Sequence, residues 1–431
     1  MKLSVIGCGY LGAVHAAAMA SLGHEVVGID VDQAKIDALA EGRAPFFEPG
    51  LPELLTETHG SGQLVFSTDV AAAADCQVHF IAVGTPQQVD GPGADLRFVN
   101  AAVDSLLPHL KPGDLVVGKS TVPVGTADSL APRIEATGAE LAWNPEFLRE
   151  GFAVKDTIEP DRLVYGVRSE RARNLLDQVY STAVAAGTPL VVTDYPTAEL
   201  VKTAANAFLA TKISFINAMA ELAETTGADV TQLADAIGYD KRIGRKFLNA
   251  GVGFGGGCLP KDIRAFRARA EELGRGESLA FLREIDEINL RCRQRVITLA
   301  TELLGGSVYQ RRIAVLGLAF KPNSDDIRDS PAADVAVGLN GLGAEVVAYD
   351  PEAIENARRT HPQLTYAAST KEALADAEAV VLVTEWDEFK QLDPTAVADQ
   401  VSQRVIIDGR NVLDREAWRA AGWRYAGLGR S

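Results

Sequence analysis

The stretch that decides the fold is "KLSVIGCGYLGAVHAAAMASLGHEVVGID", residues 2 to 30. A short apolar strand runs into Gly7, Gly9 and Gly12, which stand in G-x-G-x-x-G spacing, and a helical stretch and a second apolar strand follow. The glycine pattern alone is weak, but its place after a strand and at the opening of a helix gives it meaning. Gly7 allows the tight turn, Gly9 lets a pyrophosphate approach the backbone, and Gly12 lets helix and strand pack closely. The helix start, which contains Tyr10 and Leu11, offers N–H groups and a partial positive charge to phosphates. Asp30 ends the second strand, where a carboxylate accepts hydrogen bonds from a ribose diol and repels a 2′-phosphate. The expected cofactor is therefore NAD rather than NADP, with nearby Lys35 pulling slightly the other way. The plain alternative is a strand-turn-helix that binds nothing.

Outward from this unit, "QVHFIAVGTP", "DLVVGKSTV" and "RLVYGV" read as further strands separated by helical stretches, as far as about Asp194. That alternation predicts parallel β-α-β units and a doubly wound sheet. Thr85, Ser120 and Thr121 follow strands at their C-terminal ends and are expected on the nicotinamide side of the crevice. The texture then changes. "PTAELVKTAANAFLATKISFINAMAELAETTG" has helical spacing with Pro196 in its first turn and Gly227 at its end. Alternation resumes at "RRIAVLGLAF", and "GLGAEVVAYD" (341 to 350) echoes "SLGHEVVGID" (21 to 30).

The expected architecture is α/β, with two Rossmann-like doubly wound sheets joined by a helical central segment that contains a long connecting helix. The domains are residues 1–195, which bind NAD, 196–304, helical with the cysteine loop and a dimer interface, and 305–431, a sheet that has lost the glycine fingerprint. A cleft between such sheets is where ligands bind.

The chain has 431 residues, enough for two or three cores, and 47% hydrophobic and 23% charged residues suit a globular protein. A net charge of −16 argues against nucleic acid or an anionic membrane surface as partner. The four cysteines, Cys8, Cys76, Cys258 and Cys292, form no C-x-x-C pair, so neither a metal site nor a disulfide framework is expected. No signal-peptide pattern opens the chain and no apolar run is long enough to span a bilayer, so the expected location is cytoplasmic.

Four pieces point to chemistry. Lys202 and Asn206, four apart on an otherwise apolar helix, share one face. Glu146 and Glu150 stand four apart in "NPEFLREG", a spacing that exposed charges also show. In "VGFGGGCLPKD", residues 252 to 262, a glycine run delivers Cys258 to the start of a helix. The helix dipole, helped by Lys261, favours a thiolate there, and Asp262 lies one turn on. Lys321, Arg328 and Arg410 suit an anionic ligand, or surface ion pairs. Alcohol oxidation needs only a base. A nucleophilic cysteine beside a hydride acceptor implies that an aldehyde is carried on to an acid through a thiohemiacetal and a thioester.

Through "VIGCGYLG", "VGTP", "GKSTVPVG", "NPEFLREG", "NAFLATKISFIN", "RIGRKFLNAGVGFGGGCLPKD", "GLAFKPNSDDIRDSP" and "DGRN", the whole chain resembles the UDP-glucose/GDP-mannose dehydrogenase family. The resemblance implies a four-electron oxidation of a nucleotide sugar's C6 alcohol to the carboxylate with two NAD+. It makes Cys258 the nucleophile and gives Lys202 and Asn206 the oxyanions. Lys202, or a water held by Lys202 and Asp262, takes the alcohol proton, and Glu146 with Thr121 orients the hydrolytic water.

By the same resemblance the sugar nucleotide is gripped by Phe147, Leu148, Arg149 and Glu150, and by Phe247, Leu248, Asn249, Ala250, Gly251 and Gly255, with Lys321 and Arg410 on its ligand side. Thr85, Thr121, Glu150, Lys261 and Arg328 match positions near NAD. Arg242 matches an arginine that reaches a neighbouring subunit's substrate, which implies a homodimer or higher homo-oligomer. Gly257 departs from the family, where serine is frequent. "FKPNSDDIRDSP" is closer to the UDP-glucose branch, so UDP-glucose to UDP-glucuronate is expected. The alternatives are GDP-mannose and a two-electron oxidation of hydroxyacid type.

Overall fold

In the computed structural model, which describes residues 1–430, the chain forms two compact units. One is Met1–Ala205 with Arg264–Gly276, and the other is Asn206–Ile263 with the chain from Glu277 onward. The helical segment expected at 196–304 is present but is divided between them.

The first unit is built on an eight-stranded sheet. Its strands are β1 (Lys2–Ile6), β2 (Glu25–Ile29), β3 (Leu64–Ser67), β4 (Val78–Ile81), β5 (Leu115–Gly118), β6 (Glu140–Trp143), β7 (Leu163–Gly166) and β8 (Leu190–Thr193). The order β3-β2-β1-β4-β5-β6-β7-β8 contains the 3-2-1-4-5-6 order of a dinucleotide fold. Leu3, Val5, Val78, Phe80, Leu115 and Val117 pack into one core layer. Ile6, Ile81, Val116, Leu141 and Trp143 pack into the other. Both faces are therefore covered, as a parallel sheet requires. Two strands depart from the parallel expectation: β7 runs antiparallel to β6, meeting it at Trp143 and Gly166, and β8, parallel to β7, shares its reversed direction. The connection after β6 holds only the short helix Ala153–Ile158. It returns along the sheet instead of crossing it, and crossing is what a parallel partner requires.

Within the second unit a six-stranded sheet has the order β11-β10-β9-β12-β13-β14. The strands are β9 (Arg312–Leu316), β10 (Glu345–Tyr349), β11 (Thr365–Tyr366), β12 (Ala379–Leu382), β13 (Val405–Asp408) and β14 (Arg424–Gly427). This is the same 3-2-1-4-5-6 order, so the repeat seen in the sequence is a repeat of topology. The long helix runs Tyr195–Thr226. It stops at Gly227, whose φ of 75° lies in the left-handed region and whose N–H still reaches Ala223 O at 2.9 Å. No helix among the described residues is long and apolar enough to cross a membrane.

The fingerprint helix Tyr10–Ser21 is almost wholly buried, and its seating depends on Gly12. A Cβ at Gly12 would lie 1.8 Å from the Gly7 carbonyl oxygen. Gly12→Ala must lift the helix from its strand, at a cost of about 2 kcal/mol or more. The expected outcome is a thermal midpoint lowered by several degrees together with weakened NAD binding, read by calorimetry and cofactor titration.

Candidate active site

At the nucleotide end, Gly7 turns the chain with φ 94° and donates its N–H to Ile29 O at 2.7 Å. Gly9 is the N-cap, and a Cβ built on it meets nothing within 4 Å. The first helical bond runs from Ala13 N–H to Gly9 O, so the N–H groups of Tyr10, Leu11 and Gly12 have no acceptor within the helix. Open backbone beside these N–H groups fits a pyrophosphate. Asp30 Oδ2 accepts the Cys8 N–H at 2.8 Å and pairs with Lys35 Nζ at 2.9 Å, while Oδ1 takes the Asp32 N–H at 3.1 Å. Acceptor capacity remains on Oδ1 for a ribose hydroxyl. Lys35 is held on Asp30 itself.

Tyr10 reaches Glu48, a buried carboxylate that also accepts the N–H groups of Gly151 (2.6 Å) and Ala153 (2.7 Å). Burial and Glu48 together push the Tyr10 phenol far above its ordinary range. Glu48 thus ties the fingerprint helix to the loop behind buried Glu150, and no sequence signal marks it. Leu11 packs on the first core. Thr85 donates to Thr121 O at 2.7 Å and Ser120 to Val83 O at 2.6 Å, latching the loops after β4 and β5 together.

Glu146 Oε1 accepts the N–H groups of Phe147 (2.6 Å) and Leu148 (2.7 Å). Its Oε2 faces Lys119 Nζ at 3.2 Å. Lys119 stands in the motif "GKSTVPVG", but a lone lysine after a strand has no stated chemistry until the fold sets a carboxylate against it. Two cations lie over the Phe147 ring, Arg162 at 3.8 Å and Lys202 at 5.5 Å. Lys202 is half-buried and forms no ion pair among the described residues. Arg149 grips Asp156 through two guanidinium nitrogens, at 2.8 and 2.7 Å. Three residues before Lys202, buried Glu199 accepts the N–H groups of Gly125 and Ala127, both at 2.7 Å. This fixes the loop that carries Thr121.

The second unit carries the cysteine. The helix Leu259–Glu272 begins one residue after Cys258, with Pro260 in its first turn. Cys258 O accepts the Asp262 N–H at 3.0 Å. That places the thiol, which is exposed, on the helix N-cap. Asp262 is buried, with Asn206 Nδ2 on Oδ2 at 2.7 Å and Lys261 Nζ on Oδ1 at 2.6 Å. Four of the predicted residues, Cys258, Lys261, Asp262 and Asn206, are thus brought together.

The glycine run is seated against protein atoms rather than left open for ligand. A Cβ would lie 2.3 Å from Asn289 Oδ1 at Gly253, 2.2 Å from Asp329 O at Gly255, and 2.7 Å from the Phe320 ring at Gly256. At Gly257 it would lie 2.4 Å from Arg328 Cζ, so a serine there displaces the guanidinium. Arg328 itself grips Asp326. Asn289 holds Phe254 by both backbone groups, at 2.7 and 2.9 Å.

Arg410 donates to Val383 O (2.8 Å), Gly253 O (2.9 Å) and Phe320 O (3.1 Å), which clips the cysteine loop to the C-terminal ends of the second sheet. Lys321 lies over Phe320 at 5.2 Å. In the expected sugar loop, Phe247 has φ 65°, a conformation costing about 1–2 kcal/mol for an L residue. Leu248 is buried, and Asn249 accepts from Arg245. Ala250 O accepts from Asn411, and Gly251 N–H is held by Asn217. Arg242 is exposed and paired with Asp240.

Comparison with known proteins agrees with this layout. Residues 1–184 match the UDP-glucose/GDP-mannose dehydrogenase family, NAD binding domain, residues 196–291 its central domain and residues 314–415 its UDP binding domain. The chain belongs to this family. The UDP-glucose 6-dehydrogenase of Rhizobium meliloti (strain 1021) is 43% identical over the full length of both chains. UDP-glucose 6-dehydrogenase TuaD of Bacillus subtilis (strain 168) is 41% identical over all of this chain and 93% of its own. Among solved structures, a UDP-glucose dehydrogenase from the hyperthermophilic archaeon Pyrobaculum islandicum superposes with a TM-score of 0.91 at 40% identity, covering 100% of this chain and 98% of that one.

In this member of the dehydrogenase family the fingerprint, Gly9 and Asp30 fall in the NAD binding domain, and Lys202, Asn206, Cys258 and Asp262 in the central domain. NAD supplies a hydride acceptor when bound.

Burial pushes the Glu199 carboxyl up to about 7, against the pull of its two N–H donors. A folded value above the unfolded one means stability falls as pH rises from about 4.5 to about 7 and is level beyond. The expected contribution is on the order of 3 kcal/mol. It is read as the difference in slope between wild type and Glu199→Gln in denaturant melts across that range.

Proposed function

We propose that this dehydrogenase oxidises the C6 alcohol of UDP-glucose to the carboxylate of UDP-glucuronate, using two NAD+ and one water. The observation that carries the reading is the exposed Cys258 thiol on a helix N-cap, with Asp262, Asn206 and Lys261 bonded together one turn beyond it. The named relatives supply the sugar.

In the first step the alcohol loses its proton to a base and a hydride to NAD+, giving an aldehyde. By the family resemblance the proton goes to Lys202, or to a water held by Lys202 and Asp262. The Cys258 thiolate then adds to the aldehyde, and a second hydride leaves for the second NAD+ to form the thioester. Lys202 and the remaining Asn206 N–H stabilise the oxyanions. Water, oriented by Glu146 with Thr121, releases the acid and restores the thiolate. An exposed nucleophilic thiol works only when reduced, which supports a cytoplasmic enzyme.

The expected stoichiometry is two NADH per UDP-glucose, read by absorbance with the product identified by mass spectrometry. Cys258→Ala is expected to bind UDP-glucose and form no acid. One NADH per sugar, or acid made by Cys258→Ala, rejects the reading.

The working form we infer is a homodimer. Phe208 (66% exposed), Phe215 (48%) and Leu222 (58%) lie seven residues apart along the long helix and make an apolar stripe. Arg242, on the family position that reaches a partner's substrate, is exposed as well. Phe208→Glu with Phe215→Glu is expected to sediment as a folded monomer with turnover reduced at least tenfold.

A further inference from the structure

Lys119 is deeply buried, yet no bound sugar or nucleotide is needed to explain its partners. Its Nζ lies 3.0 Å from Asn144 Oδ1, 3.2 Å from the Tyr180 hydroxyl and 3.2 Å from Glu146 Oε2. Tyr180 in turn donates to Asn144 Oδ1 at 2.6 Å, and Asn144 donates to Val164 O at 3.0 Å. The ammonium is thus fixed from three directions, between the Phe80 and Tyr180 rings at 5.9 and 5.7 Å. These groups share one cavity with His15 and Arg162. Burying an ammonium costs several kcal/mol, and an apolar side chain of the same length would fill a space walled by aromatic rings at lower cost. The charge is accounted for by Glu146. His15 cannot replace it: its ring is fully buried, both nitrogens lack partners, and burial holds it neutral.

We propose that Lys119 is a positioning residue for thioester hydrolysis, fixing the Glu146 carboxylate that orients the attacking water. The inference rests on the role given above to Glu146. In that step the water oxygen bonds to the thioester carbon, the carbon–sulfur bond breaks, Cys258 leaves as thiolate, and the water proton passes to the Glu146 carboxylate. No electrons leave the system. With Oε1 held by two backbone N–H groups and Oε2 by Lys119, the carboxylate is fixed in one orientation and presents its remaining lone pairs in one direction. Without the ammonium its Oε2 loses that partner and the carboxylate is free to rotate.

The test is rapid-mixing kinetics on wild type, Lys119→Met, Glu146→Gln and the double variant, with intact-protein mass spectrometry. In Lys119→Met the first two NADH per active site are expected at near wild-type rate, while steady-state turnover falls about 100-fold and an acyl adduct accumulates on Cys258. The double variant is expected to be no slower than Glu146→Gln, because the two residues act as one unit. Wild-type turnover in Lys119→Met beside a slow Glu146→Gln overturns the inference alone. Equal loss in burst and steady state, or multiplied losses in the double variant, does the same. A Glu146→Gln enzyme that turns over normally overturns the role of Glu146 and the inference with it. If Lys119→Met fails to fold, Tyr180→Phe, which removes one partner of the ammonium and keeps the ring, is expected to accumulate the same adduct with hydrolysis slowed about threefold to tenfold. An unchanged partition between oxidation and hydrolysis there overturns the proposal.

Discussion

Cys258 owes its position to a backbone with almost nothing on it. From Gly253 to Gly257 the loop has one side chain, that of Phe254, and around that bare main chain the second unit places Asn289, Asp329, Phe320 and Arg328 closer than any Cβ would allow. Asn289 reads Phe254 from both sides, as a neighbouring strand would, and Arg410 holds the Gly253 carbonyl. A loop pinned so densely loses little further entropy when a ligand arrives. It delivers Cys258 to the start of the helix Leu259–Glu272. Asp262, one turn on, then links that helix start to Asn206 on the long helix.

The two sheets show how one topology is given two duties. Asp30 and Asp350 occupy equivalent strand ends. Asp30 keeps acceptor capacity on one oxygen, and the backbone beside it at Gly9 is open. Asp350 is fully buried and accepts the N–H groups of Leu318, Ala319, Glu352 and Ala353 and the indole of Trp386. Nothing is left on it for a ribose. The same carboxylate has become an internal brace.

Hydrogen-bonded carboxylates recur at each point where distant segments must hold still. Glu48 joins the fingerprint helix to the loop after Glu150, and Glu199 holds the loop after β5 on the long helix. Asp262 joins the cysteine helix to Asn206, and Glu146 is fixed between its own backbone and Lys119. Each oxygen of these groups has a donor, as burial of charge demands. The net charge of −16 describes the surface and says nothing of this interior scaffold.

Much was legible in the chain itself. The glycine spacing, the strand-helix alternation, the long helix with its proline and glycine ends, and the repeat at 341 to 350 each follow from local rules of φ, hydrogen bonding and periodicity. Residues four apart on a helix share a face, so the Lys202 and Asn206 pair and the Cys258 and Asp262 pair were readable too. Tertiary structure alone decided the rest. The antiparallel turn of β7, the packing of protein rather than ligand on the glycine run, Arg410 as a clip of three carbonyls, and the meetings of Lys119 with Glu146 and of Glu48 with Tyr10 all join residues far apart in the chain. Local propensity cannot encode such meetings, because they exist only once the sheets have closed and each buried charge has found the donor that makes its burial tolerable.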